Sequence, residues 1–499
     1  MDQLRKILSA ISVEPILFLN FFGFSVYAVC LQSGIYQVLC RQITPNSDCQ
    51  RIGGVRNGAD EDKVQAASTF WFMMLTVSYL VPALLSDTFL GALGDRQGRK
   101  TNILIGLAGM LVSFFPAMIV FSSVQGPMWL LMVFNMVSGF TGFIGIVIIS
   151  AFAYLADTVP DHDNLTVRMV IMGVVNSSAM VIGSFVASTL LHFLSFSQII
   201  LFGMVMICMA FFYAVFRIEQ VPPLIMRRRV LNRILDQEKL KDLQEKAKSQ
   251  TKVAIYHAKT GKQKSVTCSD LVKTIKGLLK DIWVTFTKRR PCHHRMQILI
   301  VSLVFFLHVL VDMGLQNSIT TLFLFRRPFS WTAENLAFFR GVNSFINMVG
   351  GAVGVLVFKK VLHFRESTIL LIALVSCTVE RLWFTFSTKD WMVYTAVTFG
   401  CMSTMVMPTM KSFAALLVQP EEVGKMYMAF GLGMDMAHVV SAVLFNSIYE
   451  RTSSFFPGMC FLIGASISFF NIVVMLYVSI DEKRCNRVSS STRTTSVHF

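Results

Sequence analysis

The sequence predicts an all-α membrane protein in which twelve transmembrane helices pack as two pseudo-symmetric six-helix bundles. Three observations carry this. Hydrophobic residues make up 54% of the 499 and charged residues only 15%, too apolar a balance for an ordinary soluble domain. The apolar residues gather in two sets of six runs, each long enough to cross a bilayer as helix, which needs about 20 residues. Finally, the formal net charge of +16 is concentrated, because 20 Lys and Arg against 7 Asp and Glu lie between Arg217 and Arg295. Such a segment reads as the cytoplasmic face of a membrane protein and not as a nucleic-acid surface.

In chain order the runs fall near 14–39, 67–90, 102–124, 128–156, 166–193 and 198–217, then near 296–323, 333–358, 366–387, 391–418, 426–449 and 456–480. The expected organisation is a first bundle over 1–218, a basic cytoplasmic loop over 219–295, a second bundle over 296–480 and a disordered cytoplasmic tail over 481–499. Arg5 and Lys6 precede a first run too long for a signal-peptide core, so it is expected to be a retained span. The loop between the first two runs is near neutral and suits the opposite side; Cys40 and Cys49 within it are candidates for a small disulfide. The Asn164-Leu165-Thr166 sequon falls on the cytosolic side in this topology, and no glycosylation is expected there. The ten cysteines include no C-x-x-C pair, and neither a metal site nor a cofactor is expected. Within the basic loop, Leu271, Ile275, Leu278, Leu279, Ile282, Trp283 and Phe286 recur at helical spacing. They predict either an amphipathic helix on the anionic leaflet or a plain linker helix.

Between the second and third runs lies a polar knot, Gly91-Ala92-Leu93-Gly94-Asp95-Arg96-Gln97-Gly98-Arg99-Lys100. Its glycines permit close helix approach and left-handed backbone, and it sets one acid beside three cations where one helix ends and the next begins. The pattern resembles the loop between helices 2 and 3 of the major facilitator superfamily at every specified position. That resemblance implies a gating role for Gly91, Asp95, Arg96, Gly98, Arg99 and Lys100. In the second half Lys359, Lys360 and Arg365 occupy the equivalent turn without its acid or glycines.

Ionisable side chains at membrane depth are costly and mark functional sites. His308, Asp312 and Gln316 stand at i, i+4 and i+8 on one helical face. They make either a proton relay or a structural His–Asp hydrogen bond. Arg340 precedes Asn343 and Asn347, Lys411 follows Pro408, and Asp435 precedes His438 by three residues. Lys411, Arg340, Gln316 and Asn343 are therefore the candidate anchors for an anionic substrate, and Asp312, His308 and Asp435 the candidate carriers of coupling protons. Permanent pairing of Asp312 or Asp435 with Lys411 or Arg340 is the alternative. Asn20, Gln32, Asn135 and Asn176 are milder polar spots, while Asp87 reads as a surface anchor or a partner for the knot's arginines.

Val311-Asp312-Met313-Gly314-Leu315-Gln316-Asn317, Met407-Pro408-Thr409-Met410-Lys411 and Leu444-Phe445-Asn446-Ser447-Ile448-Tyr449 resemble solute carrier family 46, as do Phe152-Ala153-Tyr154-Leu155-Ala156-Asp157 and Val167-Arg168-Met169. The resemblance implies a proton-linked or facilitated carrier of organic anions. The folate branch of that family has acids in spans 4 and 5, a histidine in span 7 and an arginine in span 10, at places held here by Phe143, Gly173, Asp312 and Lys411. Only the cation survives in kind, so the folate-type proton mechanism does not carry over, and His308 is the nearest substitute for the missing titratable group.

The expected function is a secondary transporter working by alternating access, its partners a small organic anion, protons and the bilayer. A single chain suffices for the pore. The alternative is a transport-silent sensor that keeps the fold. No span pairs a nucleophile with a base, which disfavours an enzyme. Either the plasma membrane or an endolysosomal membrane is compatible, with both termini cytosolic.

Overall fold

The computed structural model describes residues 12–44, 58–123, 126–158, 162–220, 284–288, 293–419 and 422–495. Among the described residues the regular structure is helical throughout. The first half contains α1 (Glu14–Ile43), α2 (Gly58–Gln97), α3 (Arg99–Ser122), α4 (Met128–Phe140), α5 (Phe143–Thr158), α6 (His162–Leu191) and α7 (Phe196–Arg217). The second contains α8 (His294–Gly314), α9 (Thr320–Phe325), α10 (Ala333–Val355), α11 (Glu366–Thr385), α12 (Asp390–Phe399), α13 (Val406–Leu417), α14 (Val423–Thr452) and α15 (Met459–Thr495). Eleven helical segments among the described residues are long and apolar enough to cross a membrane. Their outer faces carry side chains such as Phe212 and Phe216 on α7, each more than half exposed, a surface that suits hydrocarbon and not water.

The expected tenth span, 391–418, does not qualify as one helix because it is broken. α12 ends at Gly400 and a single tight turn, Ser403–Met405, leads into α13. A second break divides α4 from α5, where Gly142 and Phe143 both have positive φ, 75° and 44°. A third is the π-helical turn Leu315–Ile319 between α8 and α9. Wide turns of this kind re-aim side chains and recur at functional sites.

Within the first half α1 packs on α6 and α7, and α3 on α5 and α7; within the second α8 packs on α14 and α15, and α11 on α12 and α15. Backbones come close where glycine allows it, as at Gly23, where a Cβ would stand 2.9 Å from the carbonyl oxygen of Gly203. The halves meet along two helix pairs, α2 with α14 and α6 with α10.

The two ends of this seam differ. On the side opposite the basic segment, Arg326 pairs with Asp62 at 2.5 Å, the Arg327 backbone N–H donates to Glu61 at 3.1 Å, and Gln65 donates to the Leu322 carbonyl at 3.2 Å. These bonds tie the start of α2 to the end of α9, across the halves. On the basic side, a Cβ at Gly91, Gly424, Gly431 or Gly433 would meet nothing within 4 Å. The ion pairs Arg99–Asp157, Arg168–Glu14, Lys288–Glu422 and Lys359–Glu366 described there are each made within one half. Among the described residues the seam is latched on the opposite side and has open space beside these four glycines on the basic side.

Two expectations need correction. Residues 481–495, read as a disordered tail, continue α15 as helix, because extending an existing helix avoids the cost of nucleating a new one. Asp87, read as a surface anchor or a partner for the knot, turns to the break between α4 and α5, and of the described arginines of the knot Arg99 pairs with Asp157. Its carboxylate lies at Gly142, where a Cβ would come within 2.5 Å of Oδ1, and that oxygen is buried without a hydrogen-bond partner. Most of the predicted 269–286 helix lies outside the described residues, as do Cys49 and 496–499. Cys40 is disulfide-bonded.

Candidate functional site

A cavity of 320 Å³ lies between the halves. Its apolar wall includes Phe24, Phe72, Tyr79, Phe339 and Phe384, and its polar groups come from both bundles: Gln32 on α1, Asn135 on α4, Gln316 and Ser318 in the π-turn, Thr321 on α9, Arg340 and Asn343 on α10, and Glu380 on α11. An apolar enclosure with a few convergent polar groups is the usual form of a small-molecule site.

Arg340 is the cationic element of this wall. Its Nη2 donates to Gln32 Oε1 and to Thr321 Oγ1, the latter at 2.9 Å, and the Thr321 hydroxyl donates to the same Gln32 oxygen at 2.5 Å. Gln32 belongs to the first half and the other two to the second, so the cluster bridges the seam. These partners are neutral and engage one nitrogen of the guanidinium, which has five donors. Asn343 accepts from Asn347 at 2.8 Å, and Asn347 in turn accepts from Ser403 and Thr404 at 3.1 Å each. The break before α13 therefore supports the position of Asn343.

The π-turn carries Gln316 and Ser318 into the cavity wall. Ser318 donates to Asn446 at 3.0 Å, anchoring the turn to α14. Gln316 donates to Asp312 Oδ1 at 2.9 Å, and Asp312 also faces Arg381 Nη2 at 3.6 Å. Arg381, buried on α11, reaches Ser468 on α15 through Nη1. Asp312 thus sits one hydrogen bond behind the cavity wall, held by an arginine.

The remaining predicted residues are more dispersed. His308 is 2% exposed and its Nδ1 has no partner; the neighbours of Asp312 are Gln316 and Arg381. Lys411 is half-buried on α13, outside the cavity lining. Asp435 lies on α14 within electrostatic range of Asp87 and Tyr79 on α2, and Tyr79 also meets His438 edge-on at 6.4 Å.

In the knot, the Asp95 and Arg96 side chains lie outside the described residues. Gly98 has φ 103°, a conformation that favours glycine. Arg99 Nε pairs with Asp157 Oδ2 at 3.2 Å, and Lys100 Nζ donates to the Val215 carbonyl at 2.6 Å. Gly94 leaves room for Asn102, which donates to the Leu90 carbonyl at 2.6 Å.

Glu380 and Arg381 escaped the sequence reading. An adjacent acid and base reads as self-neutralising, yet successive helical positions diverge by roughly 100°. One carboxylate therefore lines the cavity while its neighbour turns into the bundle.

Two helical bundles closing around a seam cavity define a multi-pass integral membrane protein of the transporter class. The model of the Major Facilitator Superfamily matches residues 15–442, and the chain belongs to that superfamily. It is similar to the Gallus gallus lysosomal proton-coupled steroid conjugate and bile acid symporter SLC46A3, 22% identical over 95% of this chain and 94% of that protein. It is also similar to the Bos taurus proton-coupled folate transporter, 20% identical over 94% and 92% of the two chains. Among solved structures, the human organic anion transporter MFSD10 shares the fold with a TM-score of 0.59 at 14% identity, over 93% of this chain and 98% of that one. These relatives are transporters and not enzymes.

Proposed function

We propose that the protein moves a small organic anion by alternating access, with the seam cavity as its binding site and protons as the coupling ion. The observation that carries this is Arg340, a cation on the wall of a cavity shared by both halves, whose hydrogen-bond partners are neutral groups. Gln316 and Asn343 line the same cavity and would complete the polar contacts. Lys411 follows the break in the tenth span, toward the basic side, and would attract the anion along its route. The names of similar proteins, a bile acid symporter and a folate transporter, agree with an anionic solute and with proton coupling.

Asp312 is the favoured proton site, since Gln316 connects it to the cavity and Arg381 competes with a proton for its charge. His308 and Asp435 would be secondary sites. The knot from Gly91 to Lys100 would gate the basic side. With that side cytosolic, both termini face the cytosol, at the plasma membrane or an endolysosomal one.

Uptake of a panel of organic anions into proteoliposomes under an imposed pH gradient tests the reading. Accumulation that collapses with the gradient and is weakened in R340Q at subsaturating solute is the expected result. A well-folded protein that moves no member of the panel would instead favour a sensor that keeps the fold without transport.

A further inference from the structure

The central cavity is lined by two ionisable side chains of opposite sign, Arg340 from α10 and Glu380 from α11. Among the described residues neither has an ion-pair partner. Arg340 bonds to neutral Gln32 and Thr321, and the cation next to Glu380, Arg381, is committed to Asp312 and Ser468. The Glu380 carboxylate abuts Gly400, where a Cβ would stand 2.3 Å from it. Gly400 closes α12, so the carboxylate sits at the carbonyl end of a ten-residue helix. That end carries partial negative charge and adds to the cost of a buried anion.

The broken tenth span touches both helices that carry the two charges. α12 and the turn at 403–405 each pack against both α10 and α11, and Val397 of α12 lines the cavity. No ion pair within 4.0 Å joins Arg340 to Glu380 among the described residues, so the two charges meet the cavity as separate points. A plain anion would satisfy Arg340 and leave Glu380 only the charge of Arg381, which it shares with Asp312.

Resting on the anion reading above and narrowing it, we infer that the preferred solute is an extended zwitterion, its acid held at Arg340 and its protonated amine at Glu380. The apolar walls between them, with Phe339 and Phe384, suit a hydrocarbon or aromatic spacer. Glu380 thereby becomes a specificity-determining residue, selecting amine-bearing acids from simple ones.

The test uses full-length protein purified in detergent and a ladder of ω-amino carboxylates of increasing length, each beside its N-acetylated form, which keeps the acid and removes the cation. Ligand-dependent shifts in melting temperature give relative affinities. Wild type is expected to prefer the longer free amines over their acetylated forms by about tenfold or more, the size of one charge-assisted hydrogen bond. E380Q is expected to lose the preference, its affinities for the free amines and their acetylated forms converging, and E380D, with its charge kept, to retain part of it. An equal response of wild type to both forms overturns the inference. So does an E380Q protein that keeps the preference, including one altered only in the proton dependence of uptake. If no carboxylate of either form binds, the anion reading itself fails; loss of the amine preference alone leaves that reading intact.

Discussion

Arg381 Nη2 and Asp312 Oδ1 lie 3.6 Å apart inside the second bundle, joining α11 to α8 behind the wall of the central cavity. The pair makes Asp312 two things at once: the counter-ion of a buried cation and, through Gln316, a group with access to the solute. Removing one member strands the other. R381Q or D312N is therefore expected to destabilise the protein by about 3 kcal/mol or more, and the double variant by much less than the sum. Melting curves in detergent supply this cycle. If the double variant regains stability and also transports with normal proton dependence, Asp312 is a structural counter-ion and not the coupling site.

Arg340 makes a different prediction, because its role is attributed to the solute and not to the fold. R340Q keeps an uncharged amide donor on α10 but removes the charge. The half-saturation concentration for anion uptake is expected to rise about tenfold to a hundredfold, matching the loss of one charge-assisted contact. R340K should fall between, since a lysine supplies the charge without the planar fork. Initial uptake rates across a concentration series separate this from a change in maximal rate.

The latch opposite the basic side predicts a conformational effect. Asp62 and Arg326 pair across the halves at 2.5 Å, with Asp62 at 40% side-chain exposure. An accessible pair of this kind contributes about 1 kcal/mol or less, enough to shift a two-state balance by up to about fivefold. D62N is expected to raise the fraction open toward that side. A cysteine introduced at Gln65, which is buried in the latched state, should then react faster with an impermeant thiol reagent. Because this background already lacks the Gln65–Leu322 bond, an unchanged rate in D62N would show that the Glu61 contacts to Arg327 hold the latch alone.

The spans were legible because bilayer thickness imposes a length that composition reveals directly. Arg340, Gln316 and Asn343 were legible for a second reason: ionisable and amide groups inside apolar runs have few places to go besides a wet cavity. What sequence could not supply was helical phase across breaks. The turn at 403–405 resets the direction of α13, so Lys411 leaves the wall that Arg340 shares. The π-turn at 315–319 likewise sends Gln316 into the cavity while Asp312 stays behind it. Nor could spacing along one helix show that Asp312 would find Arg381, from another helix, in place of His308 four residues away. The notch that receives Asp87 depends on positive φ at Gly142, and a single glycine in an apolar run does not announce it.

The knot between α2 and α3 yields the last prediction. Arg99 is 3.2 Å from Asp157 at the end of α5, and both side chains are largely buried, at 15% and 8% exposure. This contact lies within the first half, in a state where the basic side of the seam has open space beside its glycines. If the knot gates that side, Arg99 belongs to Asp157 in this state and must exchange partners when the halves close there. R99Q and D157N should then have similar effects: transport slowed several-fold, with solute affinity nearly unchanged, because neither residue reaches the cavity. A merely structural pair would behave otherwise, lowering the melting temperature in both variants without changing the rate per folded molecule. Turnover normalised to folded protein, measured beside the melting curve of each variant, decides between a gate and a brace. Conservative R99K sharpens the comparison, since it keeps the charge needed for exchange while weakening the directed hydrogen bond.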